Sequence, residues 1–117
     1  MKTDLTYLKE MSAGNKELVQ EMIDIFKSQV DEFKRDMLDL FTKKEYLSLG
    51  KLAHKAKSSI SIMGLSDLAI DLKTLENDAK AGIKTESYKK IIDKFIRETD
   101  EAVSELNEVS KNLDSYF

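Results

Sequence analysis

Imidazole is the reactive group to start from. The chain has one histidine, His54, and no cysteine, so thiol nucleophiles, thiolate metal sites and disulfides are all excluded. Histidine is also the side chain whose ordinary titration lies nearest neutral pH. The residues around it read Ala53, His54, Lys55, Ala56, Lys57, Ser58, Ser59, and the stretch ends at Met63, Gly64 and Leu65. From Lys43 to Lys57 there are five lysines (Lys43, Lys44, Lys51, Lys55, Lys57) against the single acid Glu45. A local basic patch thus surrounds a lone nucleophile in a chain whose formal net charge is −3.

The elements that position His54 follow from hydrophobic spacing. Thr3 and Asp4 read as an N-cap before a short helix, about 4–12, with Leu5, Leu8 and Met11 on one side. Asn15 caps a long second helix, about 15–42. Leu18, Met22, Ile25, Phe26, the polar Gln29, Phe33, Met37, Leu40 and Phe41 recur along it at spacings of three and four. A polar turn leads to the third helix, about 45–63, striped by Leu49, Leu52, Ala53, Ala56, Ile60 and Met63, with Gly64 suited to a left-handed end. Ser66 caps a fourth helix, about 66–81, with Leu68, Leu72, Leu75 and Ala79 in register, closing at Gly82. Thr85 caps a fifth, about 86–113, carrying Ile92, Phe95, Thr99, Ala102, Leu106, Val109 and Leu113.

No segment alternates with period two, and there is no proline. The expected fold is therefore all-α: an antiparallel, up-down-up-down four-helix bundle with a short N-terminal helix, one domain over residues 1–117. No apolar run approaches the ~18 residues of a membrane span, and the start has no signal-peptide core. The expectation is a cytoplasmic protein without a membrane partner. The acidic balance and the lack of interleaved aromatics in the basic patch argue against nucleic acid.

At ~100° per residue the apolar stripe of the third helix centres opposite His54, so the imidazole faces solvent midway along it. Its neighbours one turn away are Gly50, Lys51, Lys57 and Ser58, with Leu47 and Ser61 two turns out. Three of these six are glycine or serine. A glycine inside a helix costs about 0.5–1 kcal/mol relative to alanine, so Gly50 weakens its own helix. One account is that another surface approaches the imidazole closely; the plainer one is that exposed positions tolerate most residues.

Ala53 to Ser59, then Met63-Gly64-Leu65 and the run Leu72, Lys73, Thr74, Leu75, Glu76, resemble the signature of histidine-containing phosphotransfer (HPt) domains. The likeness covers about residues 45–80. Two positions depart from it: Ala56 stands where leucine is frequent, and Val30 where many members carry a proline.

The resemblance implies that His54 accepts a phosphoryl group from an aspartyl phosphate on a response-regulator receiver domain and passes it to another. A hybrid histidine kinase is a further partner. Lys57, one turn away, would pair with the phosphoryl oxygens, and Gly50, Lys51, Lys55, Ser58 and Ser61 would form the receiver-docking surface. Glu76 and Lys80 are candidates for the rim, although a solvated helix face is the simpler account of both. The chain would be a monomeric phosphocarrier and not an enzyme, with no kinase or ATP site and no cofactor of its own; magnesium belongs to the receiver. Tyr116 and Phe117 are the exposed apolar residues through which chains would pair, if they did. The main alternative is a non-catalytic adaptor that binds receivers through the basic patch. A di-iron bundle needs two Glu-x-x-His pairs, whereas Lys51 stands three residues before the only histidine.

Overall fold

The computed structural model describes residues 2–117, and six α-helices and no strand occur among them. They are α1 (Thr6–Ser12), α2 (Lys16–Thr42), α3 (Tyr46–Ile62), α4 (Ser66–Ala81), α5 (Tyr88–Lys111) and α6 (Leu113–Tyr116). α3 packs along α4, α2 packs on both α3 and α5, and α4 packs on α5. The result is a helical bundle 46 Å long and 20 Å across, whose buried side chains form one cluster. No described helix is long and apolar enough to cross a membrane.

Helix ends follow local chemistry in some places and tertiary contacts in others. The Asn15 side chain accepts from the Leu18 N–H at 3.1 Å, capping α2 as expected. Gly82 ends α4 with φ +68°, and the Ile83 N–H returns to the Asp78 carbonyl at 3.0 Å, a glycine-dependent termination. The caps expected at Ser66 and Thr85 are not formed. Ser66 is the first residue of α4 and makes no capping hydrogen bond, so Asp67 in the first turn is left to complement the helix dipole. Thr85 opens a single 3₁₀ turn, Thr85–Ser87, and α5 begins only at Tyr88. Tyr88 is fully buried, and its hydroxyl donates to the Asp78 and Ile83 carbonyls, so a core contact sets the start of α5.

The N-terminal segment is shaped by distant partners. Neither expected residue is the N-cap of α1, which is Leu5 without a capping side chain; Asp4 accepts from the Thr6 N–H at 3.0 Å one residue earlier, and Thr3 turns inward and bonds to Glu105. The Asp4 N–H donates to the Met63 carbonyl at 3.1 Å, beside Gly64. A Cβ on Gly64, which has φ +73°, would stand 2.5 Å from the Asp4 carbonyl oxygen. Only glycine suits both that turn and that crossing.

Two apolar faces differ from expectation. α2 buries Val19, Ile23, Phe26, Val30, Phe33 and Met37, while Leu18 and Ile25 are exposed. The helix carries two overlapping three-and-four ladders, and the one richer in β-branched residues faces the core. Met11 is likewise exposed on α1. At the other end, α5 is interrupted at Asn112, placing Leu113 in α6. Tyr116 and Phe117 fold back half-buried against the core, with the Lys9 ammonium 5.7 Å from the Phe117 ring. They are therefore not the free apolar end expected. Thr99 sits in the core because its hydroxyl donates to the Phe95 carbonyl at 2.6 Å.

Candidate functional site

The buried line of α3, Leu49, Ala53, Ala56 and Ile60, holds the helix against its neighbours and turns His54 outward. The His54 side chain is 61% exposed. Ser58 and Ser61 flank it, also exposed, and the Ser61 hydroxyl donates to the Lys57 carbonyl at 2.8 Å. The imidazole is thus presented on a rigid helix beside small side chains.

Gly50 belongs elsewhere. It is buried, and a Cβ there would stand 2.9 Å from Lys80 Cγ and 3.0 Å from the Glu76 carbonyl oxygen. Its role is to let the α4 backbone approach α3, one turn before His54, and it does not present a docking surface. Gly50→Val would gain only a few tenths of a kcal/mol of helix propensity while forcing the two backbones apart. The expected loss is about 1–3 kcal/mol, read from chemical denaturation, and an unchanged midpoint would show the crossing to be slack.

That close approach brings Glu76 under the imidazole. Its carboxylate is 5% exposed, and His54 Nδ1 lies 3.0 Å from Oε2. Lys80 Nζ lies 2.9 Å from the same oxygen. Lys57 and Lys73 approach Oε1 at 3.7 and 3.6 Å, too far for a hydrogen bond, and that buried oxygen has no hydrogen-bond partner. Glu76 is therefore the hub of the site and not its rim. Lys80 first, then His54 and Lys73, hold its carboxyl down to about 2, against the opposing effect of burial.

The chemistry follows from donor and acceptor types. An ionised carboxylate only accepts, so a neutral imidazole facing it carries its proton on Nδ1. Nε2 is then the nitrogen with the lone pair. Three lysine ammoniums and one carboxylate leave the cluster at +2 when the ring is neutral, a setting that attracts anions.

The remaining lysines do not join this cluster. Lys51 and Lys55 line a shallow groove towards α2, with Asp36 and Asp39 in its wall, and Lys43 pairs with Asp39 at 3.1 Å. The patch that reads as uncompensated in sequence is thus split: Lys43, Lys51 and Lys55 lie towards acids of α2, and Lys57 lies towards Glu76. On the same flank, Met22, Ile25, Phe26, Gln29, Ser59, Ile62 and Met63 line an apolar groove, fastened where the Ser59 hydroxyl donates to Gln29 Oε1 at 2.8 Å.

Lys73 was missed from sequence, and Glu76 and Lys80 were undervalued. Lys73 appears there only within the Leu-x-x-Leu-Glu run, and nothing local marks it. For Glu76 a signal exists: four residues after Leu72, it lies ~40° from the apolar stripe of its helix. A carboxylate at that boundary is a candidate for burial with partners. No group of three His, Cys, Asp or Glu side chains among the described residues is placed to hold a metal ion. Comparison with protein-family models, with curated proteins and with solved structures found no match to this chain.

Proposed function

We propose that this protein is a histidine phosphocarrier of the HPt type, an antiparallel up-down-up-down four-helix bundle that relays phosphoryl groups between response-regulator receiver domains. The observation that carries the reading is the pairing of His54 Nδ1 with buried Glu76 on one side of an otherwise exposed ring. The arrangement leaves Nε2 as the nitrogen turned towards an incoming group, with the small side chains of Ser58 and Ser61 beside the ring.

The transfer balances simply. The Nε2 lone pair attacks the phosphorus of a receiver's aspartyl phosphate, the phosphorus–oxygen bond to the aspartyl group breaks, and the aspartate leaves as a carboxylate. Nδ1 keeps its proton, and the Glu76 carboxylate offsets the positive charge that develops on the ring. A second receiver then reverses the step, so a difficult exchange is divided into two. The receiver brings its own acidic pocket and magnesium, and the carrier needs neither a nucleotide site nor a cofactor. In this reading the protein works in the cytoplasm as a monomer, charged by a receiver or a hybrid histidine kinase.

Lys57 is half-buried near Glu76 and within one turn of His54, placed to turn towards phosphoryl oxygens. Lys57→Ala should slow phosphorylation about tenfold, the scale of one charge-assisted contact, with little change in melting. An unaltered rate would remove Lys57 from the mechanism. The function itself is tested by incubating the protein with a panel of phosphorylated receivers and following acid-labile, base-stable label. Label on His54 is the expected outcome. Receivers that bind but leave the protein unlabelled would favour the adaptor reading instead.

A further inference from the structure

A carboxylate paired with Nδ1 has two opposed effects on a nucleophilic histidine. It selects the useful tautomer, but it also stabilises the imidazolium, which has no lone pair to offer. A nearly buried glutamate as sole partner would therefore tend to silence His54 by keeping it protonated.

Lys80 occupies the position that offsets this. Its ammonium is hydrogen-bonded at 2.9 Å to Oε2, the oxygen that also faces His54 Nδ1 at 3.0 Å. Its Cγ lies 2.9 Å from where a Cβ on residue 50 would stand, so the glycine in α3 makes room for its stem. Lys57 and Lys73 add charge near Oε1 without a hydrogen bond. Lys51 and Lys55, on the helix that carries His54, line the α2 groove with Asp36 and Asp39. Apart from the ring itself, Lys80 is the group among the described residues that meets the ring-facing oxygen.

We propose that Lys80 is a positioning residue for His54, holding the Glu76 oxygen so that the ring is oriented by a carboxylate yet remains uncharged and nucleophilic. This rests on the phosphocarrier reading for its purpose but not for its measurement. The plainer account is an i,i+4 Glu–Lys pair of the sort that decorates many helices, worth a few tenths of a kcal/mol. Such a pair would leave the imidazole unaffected.

The experiment follows the ring proton signals of the single histidine against pH in the intact protein, with no receiver or phosphate present. Lys80→Met keeps the stem and removes the charge; Lys80→Arg keeps a cation. The titration midpoint of His54 should move upward in Lys80→Met by about half a unit, from loss of one charge at the far side of the shared oxygen. Lys80→Arg should return it towards wild type. Because the Lys80 side chain is 41% exposed, both variants should fold. Coincident titration curves for wild type and Lys80→Met would overturn the proposal. With receivers added, the phosphorylation rate of Lys80→Met should fall at neutral pH and recover as pH rises. Separated titration curves with no labelling by any receiver would sink the phosphocarrier reading while leaving the effect of Lys80 on the ring in place.

Discussion

Replacing His54 with glutamine should abolish acceptance of phosphate from every receiver while leaving helicity and melting close to wild type. The side chain lies mostly in solvent and contributes no core packing, so the fold has little to lose. The amide lacks a nucleophilic nitrogen, since its lone pair is delocalised, but it can still donate a hydrogen bond towards Glu76. Loss of transfer with retained stability would separate chemistry from scaffold. Retained labelling would place the acceptor elsewhere and remove the basis of the proposed function.

The second large effect belongs to Glu76. Glu76→Ala removes the acceptor for Nδ1–H, so the ring proton is free to move to Nε2 and occupy the reactive lone pair. The phosphorylation rate should drop on the order of 10- to 100-fold, the scale seen when histidines elsewhere lose their outer-shell carboxylate. The variant also leaves Lys57, Lys73 and Lys80 facing one another without an anion. Melting at neutral pH should therefore fall as well, which His54→Gln does not predict. The pH dependence has a definite sign. With its folded value held down to about 2 against an ordinary 4.5, the carboxylate stabilises the protein fully above the ordinary value. That contribution is lost as pH falls from about 4.5 towards about 2. The stability gap between wild type and Glu76→Ala should accordingly narrow over this acid range, as followed by thermal melts. A constant gap would mean that the carboxylate acts by packing and not by charge.

Much of the architecture is legible in the amino-acid order because helices carry their own signals. The limits of α3 and α4, the left-handed glycines at Gly64 and Gly82, the Asn15 cap and the outward face of His54 all follow from spacing and local backbone chemistry. What resists reading is the identity of the neighbour. A helical wheel places Gly50 near His54 but does not say that α4 lies against it, so a glycine required by a close crossing looks like open surface. The same ignorance makes Glu76 look like a rim residue, although its partners on α3 become visible only when the two helices are packed. In α2, two ladders compete, and only the assembled core decides that Val19, Ile23 and Val30 go inside. The attachment of Lys2 and Thr3 to Glu105 spans almost the whole chain and leaves no local trace.

The central claim is that Glu76 fixes the ring so that Nε2 receives the phosphoryl group. Phosphorus and nitrogen NMR of the receiver-phosphorylated protein, labelled with nitrogen-15 at histidine, reads the position of the bond directly. The account predicts phosphorus coupled to Nε2 of His54, with a proton retained on Nδ1. A phosphoryl group on Nδ1, or an unmodified ring in a labelled protein, would contradict it.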